Sequence, residues 1–484
     1  VDAERAAGIV SWMFARKKTG GKSAELVDAA ARDAYSRLIH PSLENELRGE
    51  LSDAAAEGAI KVFGDNLRQL LLQPPIRGKT VMGLDPGYRM GCKVAVVDPT
   101  GKVLDTNVVY PVPEFKRVDQ AKKTIKAMVL KNGVEVMAIG NGTAGHETEE
   151  FAAEVIRELA DEKNLHLQYM VVSEAGASVY SASKLAAEEF PQFDVNLRSA
   201  VSIARRLQDP LAELVKIDPK AVGVGQYQHD MPQKRLNETL DGVVEDCVNS
   251  VGVDVNTASV SLLSYVAGIN TTVAKNIVAY RAANGDFKSR KELLRVPRLG
   301  AKAYEQAAGF LRVVGGNNPL DNSAVHPESY HIVERMAADA GTTVDRLLAD
   351  KELRKAIKPE RYVDGQVGLP TVTDIVEALD KRGLDPREQL QAFSFDPGVH
   401  TIGDLREGMT LPGIVTNITN FGCFVDVGIK ENGLVHISEL ADRFISDPTQ
   451  VVSIHQHVKV KVLSVDLVRK RVQLSMKGIE ETVS

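Results

Sequence analysis

Apolar and polar positions change their spacing several times along the 484 residues, and each change predicts a different kind of element. Up to about residue 73, Leu and Ala recur at three- and four-residue intervals, interrupted at Lys17-Lys18-Thr19-Gly20-Gly21-Lys22 and at His40-Pro41-Ser42, which is the pattern of helices with two breaks. Pro74-Pro75 closes that segment. From Thr80 the runs shorten: 80–87, 92–101 and 102–111 are apolar stretches ended by turn residues, which predicts three meandering strands. A helix over 114–130, a strand over 134–139, a helix over 143–162, a strand over 168–172 and helices to Val215 follow. Residues 223–231 read as a connecting loop.

Two helical hairpins come next. Residues 261–281 place a tight turn at Gly268-Ile269-Asn270 between two helical runs, and 293–310 repeat the plan with Pro297-Arg298-Leu299-Gly300 as the turn. The helical pattern resumes over 325–393, broken at 368–371. From 413 to 440 the period becomes two, with tight turns at Asn420-Phe421-Gly422 and Glu431-Asn432-Gly433. Val458, Val460 and Val462 alternate with Lys459 and Lys461, and 471–475 supplies a further strand, so about five short strands fit an OB-type barrel. The expected architecture is multidomain, α/β plus all-α plus all-β. It comprises a helical segment (1–75), an α/β domain (76–220), a double helical hairpin (221–320), a second helical domain (321–404) and a barrel (405–484).

Composition narrows the class. No apolar run approaches the ~18 residues that a membrane span needs, and no signal-peptide pattern is present, so the expectation is a cytoplasmic protein without membrane contact. The three cysteines, Cys92, Cys247 and Cys423, are too scattered for a zinc set or a disulfide framework. The chain opens on Val within helical sequence, which suggests that something precedes it. Its net charge of −6 argues against coating nucleic acid by bulk charge. Residues 256–315, however, hold nine Lys or Arg against three Asp or Glu, a local +6 that leaves −12 for the remainder. That segregation points to a basic binding surface on an acidic body.

The chemistry concentrates at three places. Phe421, Phe424 and His436 can gather on one barrel face, where bases stack. The hairpin turns can offer backbone amides to phosphates without reading bases. The loop Gly140-Asn141-Gly142-Thr143-Ala144-Gly145 can bring amides close to a phosphate at a helix start. His326, His331 and His400 are too far apart to form a metal set.

The residues 408–477 resemble the S1 RNA-binding domain. That resemblance implies Phe421 and Phe424 as stacking platforms and His436 and Asp466 as their polar neighbours. The phosphate or base contact is Lys470 or Arg471, because the turn after Asp466 is a residue longer than usual. Residues 79–214 resemble the YqgF/RuvC-like branch of the RNase H-like fold, in which three carboxylates hold divalent metal for phosphodiester cleavage. The matching positions are Asp85, Glu174 and Asp209. Each also has a structural explanation: Asp85 in a turn, Glu174 opening a helix and Asp209 capping one ahead of Pro210. The reading is therefore a retained, inactive nuclease fold with no cofactor, magnesium or manganese entering only if the nuclease alternative holds.

The hairpins resemble tandem helix-hairpin-helix motifs, which implies phosphate contacts from Gly268, Asn270, Lys275, Gly300 and Lys302. Each lacks one of the two motif glycines. In the first hairpin Asn270 stands in for it, tolerable because Asn can take a left-handed backbone, and in the second hairpin Arg298 does.

The order of these modules, with Gly140-Asn141-Gly142-Thr143-Ala144 and residues 202–220, resembles the bacterial Tex transcription accessory family, whose members carry a further N-terminal helical segment. The resemblance implies a non-enzymatic, monomeric scaffold acting in transcription. Its expected partners are single-stranded RNA, with DNA as a second candidate ligand, and RNA polymerase. The alternatives are a metal-dependent nuclease and a translation-associated RNA binder.

Overall fold

The computed structural model describes residues 2–15, 21–112, 117–225, 227–363, 367–380, 387, 399, 402–419, 421–429, 431–443, 445, 448–452, 456–467 and 469–479. The chain divides into two compact units, one made of 1–73 and 217–384, the other of 74–216 and 385–484.

In the second unit, five strands form one sheet: β1 (Val81–Asp85), β2 (Cys92–Val97), β3 (Val103–Val109), β4 (Val136–Gly140) and β5 (Gln168–Val172). Their order is β3-β2-β1-β4-β5, with the first three antiparallel and β4 and β5 parallel to β1. β1 and β4 are apolar almost throughout because both of their faces are covered. Helices Val118–Asn132 and Gly145–Lys163 cover one face through Ile125, Val129, Val155 and Leu159. The predicted start of the first of these, Glu114, lies outside the described residues. Helix Val195–Gln208 covers the other face through Ala200, Ile203, Ala204 and Leu207. It lies almost on the strand backbone, since a Cβ on Gly83 would fall 2.2 Å from the Ala200 carbonyl. That close approach carries Ser199 to the end of β1.

The same unit contains a closed barrel. Around it run strands Gly433–His436, Arg471–Ser475, His457–Asp466, Thr410–Thr419 and Gly422–Asp426, the five-stranded closure expected of an OB fold. Leu411, Val415, Cys423, Val425, Val435, Val460, Val462, Val472 and Leu474 fill it.

In the first unit a 32-residue helix, His40–Leu71, packs on helix Gln233–Val251, with Gly64 against Val243 and Thr239, and buries Ile60, Phe63, Leu67 and Leu71. The break expected at His40-Pro41-Ser42 does not occur. A π turn over Tyr35–Ile39 runs directly into the helix, and Pro41 falls in its first turn, where a missing amide is tolerated. The other expected break falls largely on 16–20, outside the described residues, as do His400 and most of 381–393. The hairpin helices and the helical stretch after them are joined by Arg290, almost fully buried at 1% exposure. Its guanidinium donates to the carbonyls of Leu311, Ser323 and Val325 and to the Tyr330 hydroxyl.

Candidate nucleic-acid interface

Strand register sets Asn417 opposite Phe424, Phe424 opposite Leu434 and Leu434 opposite Gln473, one row across four barrel strands. Side chains alternate along each strand, so while Cys423, Val425, Val435, Val472 and Leu474 point into the core, this row points outward. Phe421 stands at the turn before Phe424, half exposed, with the ring centroids 6.3 Å apart and the planes at 87°. An edge-to-face pair keeps the ring faces distinct, which suits two stacking partners at different angles. The turn needs glycine: Gly422 has φ 148°, and a Cβ there would lie 2.1 Å from the Val435 carbonyl.

His436 is exposed two residues beyond Leu434, its ring fixed by the Ser438 amide and hydroxyl at 3.3 and 2.9 Å from Nδ1. Asp466 and Arg471 face each other across the last hairpin, and Asp466 closes the turn by accepting the Arg469 amide at 2.8 Å. The two basic candidates now separate. Lys470 has φ 50° and serves the turn, its ammonium 3.7 Å from Glu431, whereas Arg471 lies on the strand, exposed on the same side as Gln473. Asn417 and Gln473, amides suited to base edges, were not singled out from the sequence. The alternation Arg471-Val472-Gln473-Leu474 held the signal.

The hairpin turns follow one plan with the residues redistributed. In each, the first residue is left-handed and the third caps the next helix: Gly268 (φ 82°) with Asn270, and Arg298 (φ 67°) with Gly300. The left-handed backbone expected at Asn270, in place of a motif glycine, is therefore not found. Asn270 has φ −88° and accepts the Val273 amide at 3.0 Å as an N-cap. Arg298 instead takes the strained backbone. Gly268 is also pressed against the second hairpin, where a Cβ would meet the Ala303 carbonyl at 2.9 Å. Lys275 and Lys302 are exposed.

The local +6 is smaller at the surface than in the sequence. Arg290 is consumed internally, Arg281 donates to the Val255 carbonyl and Arg312 to that of Gly309. Burial pushes the Arg312 guanidinium down to about 10. Lys275, Lys288, Lys291, Arg295, Arg298 and Lys302 remain exposed.

At the sheet, Asp85 and Glu174 come together and Asp209 does not join them. The Asp85 carboxylate accepts the Ser199 hydroxyl and lies 3.5 Å from the Lys93 ammonium, both side chains being largely covered. Glu174 nests in the glycine loop, where it accepts the Gly142 amide and a Cβ on Gly142 would fall 1.5 Å from Oε1. The loop thus holds the chain's own carboxylate rather than an open phosphate cradle. Burial first, and then the charge of Asp85, raise Glu174 above the usual carboxylate range. Asp209 caps helix Pro210–Leu214 through the Ala212 amide and is held by Arg387 at 2.8 and 3.2 Å and by Arg77 at 3.2 Å. Burial opposes its charge, but the Arg387 hydrogen bonds prevail and keep its pKa low.

A divalent metal, implied by likeness to the RuvC branch, does not fit these residues. Lys93 already neutralises Asp85, buried Arg206 adds a second positive charge toward Asp85 and Glu174, and the third carboxylate is committed to two arginines. The helix side chain that reaches Asp85 is a hydroxyl, Ser199. Among the described residues no three His, Cys, Asp or Glu side chains are grouped to hold a metal ion.

Comparison with known proteins matches four families in sequence: Tex protein YqgF-like domain over 79–208, helix-hairpin-helix motif over 248–312, HHH domain over 318–387 and S1 RNA binding domain over 404–477. The chain is 56% identical over 450 residues to "Transcriptional accessory protein Tex" of Neisseria gonorrhoeae, covering 93% of this chain and 58% of that protein. It is 56% identical over 436 residues to "Protein tex" of Bordetella pertussis, covering 90% and 55%. To the human "S1 RNA-binding domain-containing protein 1" it is 38% identical over 509 residues, covering 92% and 50%. The chain thus spans little more than half the length of the bacterial relatives it matches. No helix among the described residues is long and apolar enough to cross a membrane.

Proposed function

Because this chain belongs, over nearly all of its length, to the Tex family, we propose that it is a modular, non-enzymatic binder of single-stranded nucleic acid that serves as an accessory factor in transcription. The observation that carries the reading is the outward row Asn417, Phe424, Leu434 and Gln473 with Phe421, His436 and Arg471 around it. It combines stacking rings, amides for base edges and a guanidinium for phosphate, which is what single-strand recognition requires. The hairpins add contacts that are independent of base identity, through turn amides and exposed lysines.

The sheet domain acts in this reading as a scaffold, the carboxylate end of its sheet closed by Lys93, Arg206 and Ser199. RNA is the favoured ligand, DNA the second. RNA polymerase is the proposed protein partner, and the chain acts as a monomer in the cytoplasm without a cofactor.

A binding panel tests the reading. Single- and double-stranded RNA and DNA are titrated against the full chain and against a version ending near Arg406. Single-strand affinity should fall sharply in the shortened chain, and equal affinity in both would overturn the assignment. Co-purification with ribosomes instead of RNA polymerase would move the role to translation.

A further inference from the structure

The loop 223–231, which the sequence leaves as a connector, presents the most exposed large hydrophobic side chain among the described residues. Tyr227 is 75% exposed, and its backbone is left-handed at φ 58°. Either feature alone is ordinary. Together they mean that a bulky residue keeps an unfavourable backbone while burying almost nothing in return. Strain of this kind persists only where surrounding structure enforces it.

The enforcement is visible. Val224 is buried and its carbonyl accepts Asn66 Nδ2 at 2.9 Å, while Gly225 is pressed so closely on the Phe63 ring that a Cβ would lie 2.0 Å from it. On the other side, Gln228 Nε2 donates to the Lys220 carbonyl at 2.8 Å. Gln233 Nε2 donates to the carbonyls of Gln228 and Met231 at 2.7 and 3.0 Å, and the Asp230 amide returns to the Tyr227 carbonyl at 3.0 Å. The ring is displayed on a braced support rather than left on a frayed loop.

Left-handed non-glycine residues elsewhere supply a parallel. Besides Ala144 and the helix terminus at Asn164, the described ones are Arg298 and Lys470, in turns of the hairpin and of the barrel. We infer that Tyr227 is a second stacking platform for single-stranded nucleic acid, carried by the helical unit and independent of the barrel. This rests on the reading of the chain as a single-strand binder.

The surroundings favour a base over a protein partner. The residues that follow Tyr227 in the chain are mostly polar: exposed His229, Asp230, Gln233 and Lys234, with half-buried Gln228 and Met231. A protein hot spot needs an apolar cluster that excludes water, whereas a base needs one ring face with polar and cationic groups beside it. A fixed ring also spares the ligand the cost of ordering it.

The test uses the full chain with Tyr227→Gly and Tyr227→Phe, and fluorescent single-stranded RNA and DNA as probes. Glycine suits the left-handed backbone, so Tyr227→Gly should melt at or above the wild-type temperature while binding about five- to a hundredfold more weakly. Tyr227→Phe should bind like the wild type, because stacking uses the ring and not the hydroxyl. Cross-linking of 5-iodouracil oligonucleotides should map to the Tyr227 peptide.

Unchanged affinity in Tyr227→Gly would overturn the proposal. So would a lowered melting temperature in that variant, or an equal loss in Tyr227→Phe. Phe421→Ala with Phe424→Ala, run alongside, separates failure of the loop from failure of the barrel. If that pair weakens binding and Tyr227→Gly does not, only the loop proposal falls. If neither weakens it, the single-strand reading falls as well.

Discussion

Arg387 closes on Asp209 with two hydrogen bonds, Nη1 to Oδ1 at 2.8 Å and Nη2 to Oδ2 at 3.2 Å, the guanidinium almost wholly covered and the carboxylate about three-quarters so. The pair joins positions 178 residues apart and turns a sequence-level metal candidate into a structural anchor. Removing one partner leaves a covered charge without its counter-ion. Arg387→Ala should therefore destabilise the unit by on the order of 3 kcal/mol, somewhat less to the extent that Arg77 compensates. Thermal unfolding and amide exchange at helix Pro210–Leu214 check this. Because Asp209 has a folded pKa below its ordinary value of 3.8, the contribution is present above that value and lost as pH falls through the folded one. A melting temperature unaffected by Arg387→Ala would show the pair to be idle.

At the barrel, each stacked base is worth about 1 to 3 kcal/mol, so Phe421→Ala with Phe424→Ala should weaken single-strand binding by roughly a hundredfold. Both side chains lie outside the barrel core, so far-ultraviolet circular dichroism should not change. Arg471→Gln should lower affinity more than Lys470→Gln, since Lys470 is shared with Glu431 and holds the turn. The reverse order would mean that the turn residue touches the ligand.

For the hairpins, Lys275→Gln with Lys302→Gln should flatten the slope of log affinity against log salt, by up to about 0.7 for each single-strand phosphate that the lysines no longer neutralise. Arg298→Gly should behave differently, raising stability by about 1 kcal/mol because glycine takes φ 67° without strain, while removing one exposed cation. A loss of stability in Arg298→Gly would mean that the side chain carries packing of its own.

A further test concerns acidity. Glu149, on helix Gly145–Lys163, and Asp426, at the end of barrel strand Gly422–Asp426, are both raised above the usual carboxylate range, each by burial first. The charge of Asp426 adds to the effect on Glu149, while the Tyr169 hydroxyl at 3.1 Å, His146 and the Gly428 amide pull the other way. A raised folded pKa means stability that is full below the unfolded value, 4.5 for Glu149, and lost as pH rises through the folded value. Glu149→Gln keeps an acceptor for Tyr169 and removes the charge. It should raise the melting temperature at pH 8 and leave it nearly unchanged at pH 4. A larger gain at pH 4 would reverse the assignment.

Incubation with branched, single-stranded DNA and RNA substrates in magnesium and manganese should give no cleavage, since Lys93 pairs with Asp85, Glu174 is folded into the glycine loop and Asp209 is held by two arginines. Metal-dependent cutting that disappears in Asp85→Asn would restore the nuclease alternative.

What was legible in the sequence follows the range of the interactions involved. The sheet and barrel strands were readable because alternation and turn residues act locally, and the same period placed Phe421, Phe424 and His436 on the barrel. That Asp209 caps a helix ahead of Pro210 was legible locally, whereas its hold by Arg387 was not, because that partner lies far away in the chain. Charge counting overstated the basic surface, since nothing local marks Arg281, Arg290 and Arg312 as donors to buried carbonyls. The left-handed backbone expected at Asn270 was not found there, because a two-glycine motif does not say which glycine needs that backbone and which only the cap.

Arg290 also bears on how this protein can be cut. The families matched over 248–312 and 318–387 suggest two separable pieces with a seam between them. Its guanidinium crosses that seam, with Leu311 on one side and Ser323, Val325 and Tyr330 on the other, and its amide is held by Asp321. Severing the chain there would strand a buried cation and its acceptors on opposite fragments. The smallest portion that carries the hairpins intact therefore extends past Tyr330, and proteolysis should spare 313–317 until the whole assembly opens.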